Sequence, residues 1–167
     1  MNIDIDLLVQ CKLWKNENDI NEKLMEKTFL LVFDYLKLST NNDNSIELSI
    51  TLTDDEHIQS LNKEYRHRDK PTNVLTFSLY ENKKSIINDL KTLPCMALGD
   101  IIFSYDTIKK EAKEQNKTFL NHFIHMLVHS YLHLFGYDHI KYYERKKMEN
   151  MEIEILKSIN IDNPYVI

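Results

Sequence analysis

Only two of the 167 residues are glycine, Gly99 and Gly136, and the chain carries just three prolines and two cysteines. A sequence this poor in glycine makes its turns from Asn and Asp, so its two glycines are expected where a Cβ is hard to accommodate. Gly99 opens an expected strand in LGDI, and Gly136 follows a strong helical run, where a left-handed residue ends the helix and turns the backbone. Cys11 and Cys95 stand alone, without a CxxC or a framework spacing, which excludes a disulfide scaffold and reads as two free thiols in a reducing compartment. Long apolar runs are missing as well. The start, MNIDIDLLVQCKLW, has acidic residues where a secretory signal has basic ones, and FLLVF nearby is far too short to cross a bilayer, so a cytoplasmic protein with no membrane partner is expected. There is no excess of positive charge either. A net charge of −5 excludes a protein that coats nucleic acid by bulk electrostatics, yet leaves room for a local basic cleft. The one dense basic cluster, KEYRHRDK, holds Lys63, Arg66, His67, Arg68 and Lys70, and by itself such a run reads as a solvated face.

What is present is an ordinary globular mixture, 43% hydrophobic and 28% charged, which at this length predicts one domain over residues 1–167 with a sizeable core. No repeat or long linker interrupts it, and STNNDNS at 39–45 is the clearest loop. Alternation predicts a strand over 2–10, and helical spacing predicts a helix over 19–38 with Asp19 as its N-cap. IELSITLT at 46–53 reads as a half-buried strand, followed by a short helix over DDEHIQSLNKEY capped by Thr53 or Asp54. PTNVLTFSL and ALGDIIFS give two more strands, and helices are expected over 105–116, 118–135 and 140–160. The expected fold class is α+β, a small mixed sheet of about four strands covered by helices.

The segment HSYLHLFGYDH collects His129, His133 and His139. Residues four apart on a helix project from one face about 5 to 6 Å apart, which suits two imidazoles converging on one ion. A break at Gly136 lets the chain curl back and bring His139 to the same point, at the C-terminal end of the helix. Three nitrogens and an open fourth position are the pattern of a catalytic zinc. His125 and His122 extend the stripe. Three steps along a helix cannot serve one ion, so His125 is expected to be packed or behind the ligands and His122 to be solvated. The spacing H-x-x-x-H-x-x-G-x-x-H is that of metzincin proteases, but Ser130 stands where those enzymes carry their general-base Glu, and a serine cannot take that proton.

HSYLHLFGYDH resembles the histidine motif of the YbeY family of bacterial metal-dependent endoribonucleases, H-G-x-L-H-L-x-G-Y-D-H. LNKEYRHRDKPTNVLTF from Leu61 to Phe77, LGDI at 98–101 and NPY at 163–165 are similar to further family segments, in the same order along most of the chain. The departures are Ser130 for Gly and Thr76 for Ser. The resemblance implies one zinc ion per chain held by His129, His133 and His139, with Arg66 beside it acting on the RNA phosphate. It implies cutting of single-stranded RNA in maturation of small-subunit ribosomal RNA and in ribosome quality control, with RNA and the ribosomal small subunit as partners and no DNA. Arg68, Lys63 and Lys70 would steer RNA, and Asp100 and Asp138 are candidates to orient a ligating imidazole from behind. A metal hydrolase of another substrate and a non-catalytic ribosome-associated zinc protein are the other readings of the same residues.

Overall fold

The structure, a computed structural model, describes residues 1–40 and 43–166; Asn41 and Asn42, the middle of the loop expected at 39–45, lie outside it. Four strands form one mixed sheet: β1 (Asn2–Val9), β2 (Ser45–Thr53), β3 (Val74–Ser78) and β4 (Cys95–Ser104), in the order β1-β2-β4-β3. β1, β2 and β4 run parallel, and β3 pairs antiparallel at the edge. Parallel neighbours need crossover connections. These are supplied by α1 (Glu22–Tyr35), then by α2 (Asp55–Arg66) and α3 (Lys83–Thr92), while α4 (Tyr105–Glu114), α5 (Phe119–Leu134) and α6 (Tyr142–Lys157) complete the chain. The expected α+β class and four-stranded mixed sheet are what the chain forms.

Local chemistry sets the boundaries. Helix α1 starts later than the spacing suggests: Asn21, not Asp19, is its N-cap, its side chain accepting from the Leu24 N–H at 2.9 Å. Asp54 caps α2 in the same way through His57 N–H. Two elements carry no expectation from the sequence, a 3-10 turn at Lys12–Asn16 and α3, which commits only Ile86 and Leu90 to the core and so shows little periodicity.

The main core lies on one sheet face, where Ile46, Leu48, Ile50, Leu98, Ile101 and Phe103 meet α1 and α5. Full burial of side chains of this size stabilises by roughly 1.5–3 kcal/mol each. Helix α5 is the centre of that layer, with eleven of its sixteen side chains buried. Tyr131 fixes it against α1: its ring packs edge-on to Phe29 at 5.2 Å and its hydroxyl donates to the Met25 carbonyl at 2.8 Å. On the other sheet face α2 covers only one end, through Ile58 with Leu75 and Ile102.

Gly99 lies inside β4 rather than opening it. Between Glu47 and Ser49 the β2–β4 register shifts so that two β4 residues, Leu98 and Gly99, oppose the single β2 residue Leu48, a bulge. Its φ is +148°, and a Cβ there would overlap the Phe77 carbonyl of the neighbouring strand. Gly136 terminates α5 as the sequence indicates, with φ +94°. Its N–H donates to His133 O at 2.9 Å and that of Tyr137 to Leu132 O at 3.1 Å, the paired closure of a Schellman turn.

Candidate metal centre

Helix α5 presents His129 and His133 from its last turns, and the turn at Gly136 folds His139 back onto them. One nitrogen from each of the three imidazoles lies within 4.8 Å of the other two. The rings stand 4.6, 5.4 and 4.9 Å apart between centroids. His129 and His133 are half-buried and His139 is exposed.

The hydrogen bonds at the back of the rings determine what faces the front. His133 Nδ1 lies 2.8 Å from the Tyr137 carbonyl oxygen, which can only accept, so Nδ1 carries the proton. His129 Nδ1 lies 3.2 Å from Glu152 Oε2. Burial alone would push the Glu152 carboxyl up, but hydrogen bonds from His125 and His129 outweigh it and hold it well below the usual range, so it too only accepts. His133 therefore turns an Nε2 lone pair forward, and the Nε2 atoms of His129 and His133 lie 3.1 Å apart on the cavity side. A single small cation or a shared proton satisfies both nitrogens at that distance. Burial, with His129 and His139 nearby, lowers His133 to about 4, which keeps it in the neutral, ligating form at pH 7. Donor type, tautomer and spacing fit a metal ion that accepts nitrogen ligands, zinc foremost.

The triad opens onto a cavity of about 560 Å³ whose walls include Arg66, Thr72, Asn73, Tyr137 and Asp138. Arg66 ends α2 where His67, at φ +58°, turns the chain into a loop. That loop is held by Gln59 Nε2 donating to Asp69 Oδ1 at 3.0 Å and Asn62 Nδ2 donating to the Lys70 carbonyl at 2.8 Å. Burial and Arg68 lower the pKa of Arg66, and Asp138 opposes them. Asn73 anchors the next wall, donating to Glu111 Oε1 at 2.8 Å.

Asp138 lines the cavity, and its carboxylate accepts from the His139 backbone N–H at 2.7 Å. Asp100 does not share this site. It lies on the far sheet face, accepts from the Ser49 hydroxyl, and lines a separate pocket with Asp4, Asp6 and Glu47. His122, expected in solvent, is 2% exposed and lies 3.2 Å from Glu111, because that face of α5 is turned into the protein. His125 is buried, with Nε2 2.6 Å from Glu152 Oε1. Ser130 is fully buried, its Oγ without a hydrogen-bond partner among the described residues, and it is not among the side chains that line the cavity.

Glu152 has no place in the sequence reading. It joins His125 and His129 from α6, and Tyr165 closes it by donating its hydroxyl to Oε1 at 2.8 Å. The available signal was a carboxylate on an apolar face, between Met148, Met151, Ile155 and Leu156.

An α+β domain carrying a three-histidine cluster and an arginine on the wall of the same cavity is the class that fold and site define. The family model described as Endoribonuclease YbeY matches residues 10–160, and the chain belongs to that family, whose members are nucleases acting on RNA phosphodiester bonds. An Endoribonuclease YbeY of Francisella philomiragia is 40% identical over 146 residues, 87% of each chain. One from Sinorhizobium fredii is 37% identical over 166 residues, 98% of this chain and 92% of its own. The solution structure of a Thermotoga maritima protein shares the fold, with a TM-score of 0.53 at 23% identity over 93% of this chain and 91% of that one.

Proposed function

We propose that this protein is a zinc-dependent endoribonuclease specific for single strands, acting in the cytoplasm on small-subunit ribosomal RNA during maturation and ribosome quality control. The observation that carries the reading is the convergence of one nitrogen from each of His129, His133 and His139 within 4.8 Å, in the same cavity as Arg66. Family membership supports RNA as the substrate. In this reading residues 1–167 act as one unit, and His129, His133 and His139 hold the ion. When bound, the ion activates water and neutralises phosphate charge.

The remaining steps belong to the chain's own groups. Glu152 and the Tyr137 carbonyl fix the tautomers of His129 and His133, so that the ligand atoms are presented before any ion arrives. Arg66, on the wall of the same cavity, offers a planar fork suited to two phosphate oxygens and to the charge that develops on them in the transition state. Asp138 lowers the cost of keeping that guanidinium charged. Buried Ser130 leaves the site without the base that proteolysis needs.

The test compares two arginines. Arg66→Ala should keep wild-type metal content and a cooperative fold, yet cut RNA about a hundredfold or more slowly, the scale of losing one preorganised donor. Arg68→Ala should lose far less, and mainly at lower salt, where a steering charge is least screened. Wild-type cleavage by Arg66→Ala would remove Arg66 from the mechanism.

A further inference from the structure

Directly after His139 the chain reads IKYYERKK, in which four cations stand against one carboxylate in a protein whose net charge is −5. The first turns of α6 carry this segment, and they turn apolar rings into water: Tyr142 is 68% exposed and Tyr143 70%. Cations lie over the Tyr142 ring and over that of Tyr137 beside it. Arg145 Cζ is 5.7 Å and Lys146 Nζ 5.9 Å from the centre of Tyr142, while Lys83 and Lys147 approach Tyr137 to 4.6 and 5.8 Å. Tyr137 lines the cavity of the histidine triad, and Arg145 lines a smaller cavity shared with His129 and His139, so the surface is continuous with the site on two sides.

The carboxylates nearby leave these cations available. Glu144 is engaged in the first turn of α6, accepting from the Lys141 N–H at 3.4 Å. Glu149, half-buried, meets Arg145 at 3.9 Å and Lys146 at 3.8 Å, long pairings to two exposed cations that share one carboxylate and that salt weakens. We propose that the Tyr142–Lys147 face of α6 is the track along which a single RNA strand runs to or from the cleft, its bases stacking on Tyr142 and Tyr143 and its phosphates meeting Arg145, Lys146 and Lys147. Every base offers a π-face, so such a platform accepts a strand without reading its sequence, and the cations follow the backbone. The assignment rests on the endoribonuclease reading. Because the track is separate from the groups around the ion, it governs affinity rather than the chemical step.

The experiment is steady-state cleavage of a single-stranded oligoribonucleotide and of a dinucleotide by the metal-loaded protein, across a range of salt. Both tyrosines are exposed, so Tyr142→Ala combined with Tyr143→Ala should melt as the wild type does. Its KM for the oligonucleotide should rise about tenfold or more, with kcat retained within about twofold, and the KM ratio to wild type should approach one for the dinucleotide, which does not reach beyond the cleft. Lys146→Gln combined with Lys147→Gln should flatten the dependence of log KM on log salt by about 0.7 for each phosphate that is no longer neutralised. Wild-type cleavage with KM and salt slope unaltered in both variants overturns the track alone. A wild-type protein that cuts no RNA overturns both the track and the reading beneath it. Weakened binding to vesicles of anionic phospholipid in the tyrosine variant, with RNA kinetics intact, would assign the surface to a membrane instead.

Discussion

His129 and His133 depend on what stands behind them. A carboxylate and a carbonyl lie against their Nδ1 atoms, and this turns both Nε2 atoms toward the cavity. Replacing Glu152 by Gln puts an amide donor among groups that need an acceptor, so the affinity for metal should fall about 10- to 100-fold in competition titrations against a chromophoric chelator. Asp100→Asn should leave that affinity at the wild-type value, because Asp100 lies across the sheet beside Ser49. The acid response of the metal-free protein follows from the same residues. His133 titrates near 4 when folded, below its ordinary 6.5, so the unfolded chain binds more protons between those values and stability falls as pH drops through that window. The depressed Glu152 carboxyl contributes stability present above its ordinary 4.5 and lost below it, extending the loss to lower pH. Urea midpoints of the metal-free protein should therefore decline from pH 7 to 5 and further to 4; equal midpoints would contradict the burial assigned to these groups. The three histidines were legible because helical spacing and a glycine break are local patterns. Glu152 was not, since its partners are contributed by another helix. Asp100 misleads for a related reason: the bulge at Gly99 decides which face its side chain takes, and a bulge leaves no periodic trace.

At the scale of elements, the histidine cluster depends on how α5 ends. Gly136 adopts φ +94°, and a Cβ there would sit 3.1 Å from the Lys83 backbone nitrogen. Gly136→Val should cost about 1–3 kcal/mol in unfolding free energy and lower the metal content, because the same turn places His139. A variant of full stability and full metal content would show that the turn tolerates other backbones. Long amphipathic or alternating segments were readable in sequence, as α1, α5, β1 and β2 show, because tertiary packing reinforces their patterns. Helix α3 escaped because two buried positions make no stripe, and the start of α1 shifted because Asn21 and Asp19 are both competent caps that only the geometry separates. His122 was misjudged since α5 is buried almost all round, which removes the polar face on which a solvated histidine would lie.

Across the whole molecule, charge is segregated rather than uniform. Asp4, Asp6, Glu47 and Asp100 lie on the open sheet face, whereas Arg66, Lys83 and the α6 cations gather around the cavity. That arrangement gives a protein of net charge −5 a local basic face beside the cavity. The fold class followed from the order of elements and the family from four short motifs, while the α6 face became visible once Tyr137 and Arg145 were placed beside the triad. The most direct test of the central claim is the rate of internal cleavage of a single-stranded RNA by the purified protein, followed through metal removal with a chelator and readdition of zinc, beside His133→Ala. The expected result is cleavage that disappears with the metal, returns with zinc, and falls by about a hundredfold or more in His133→Ala. Cleavage that persists without metal, or at the wild-type rate in His133→Ala, would contradict the assignment of the histidine triad as the catalytic centre.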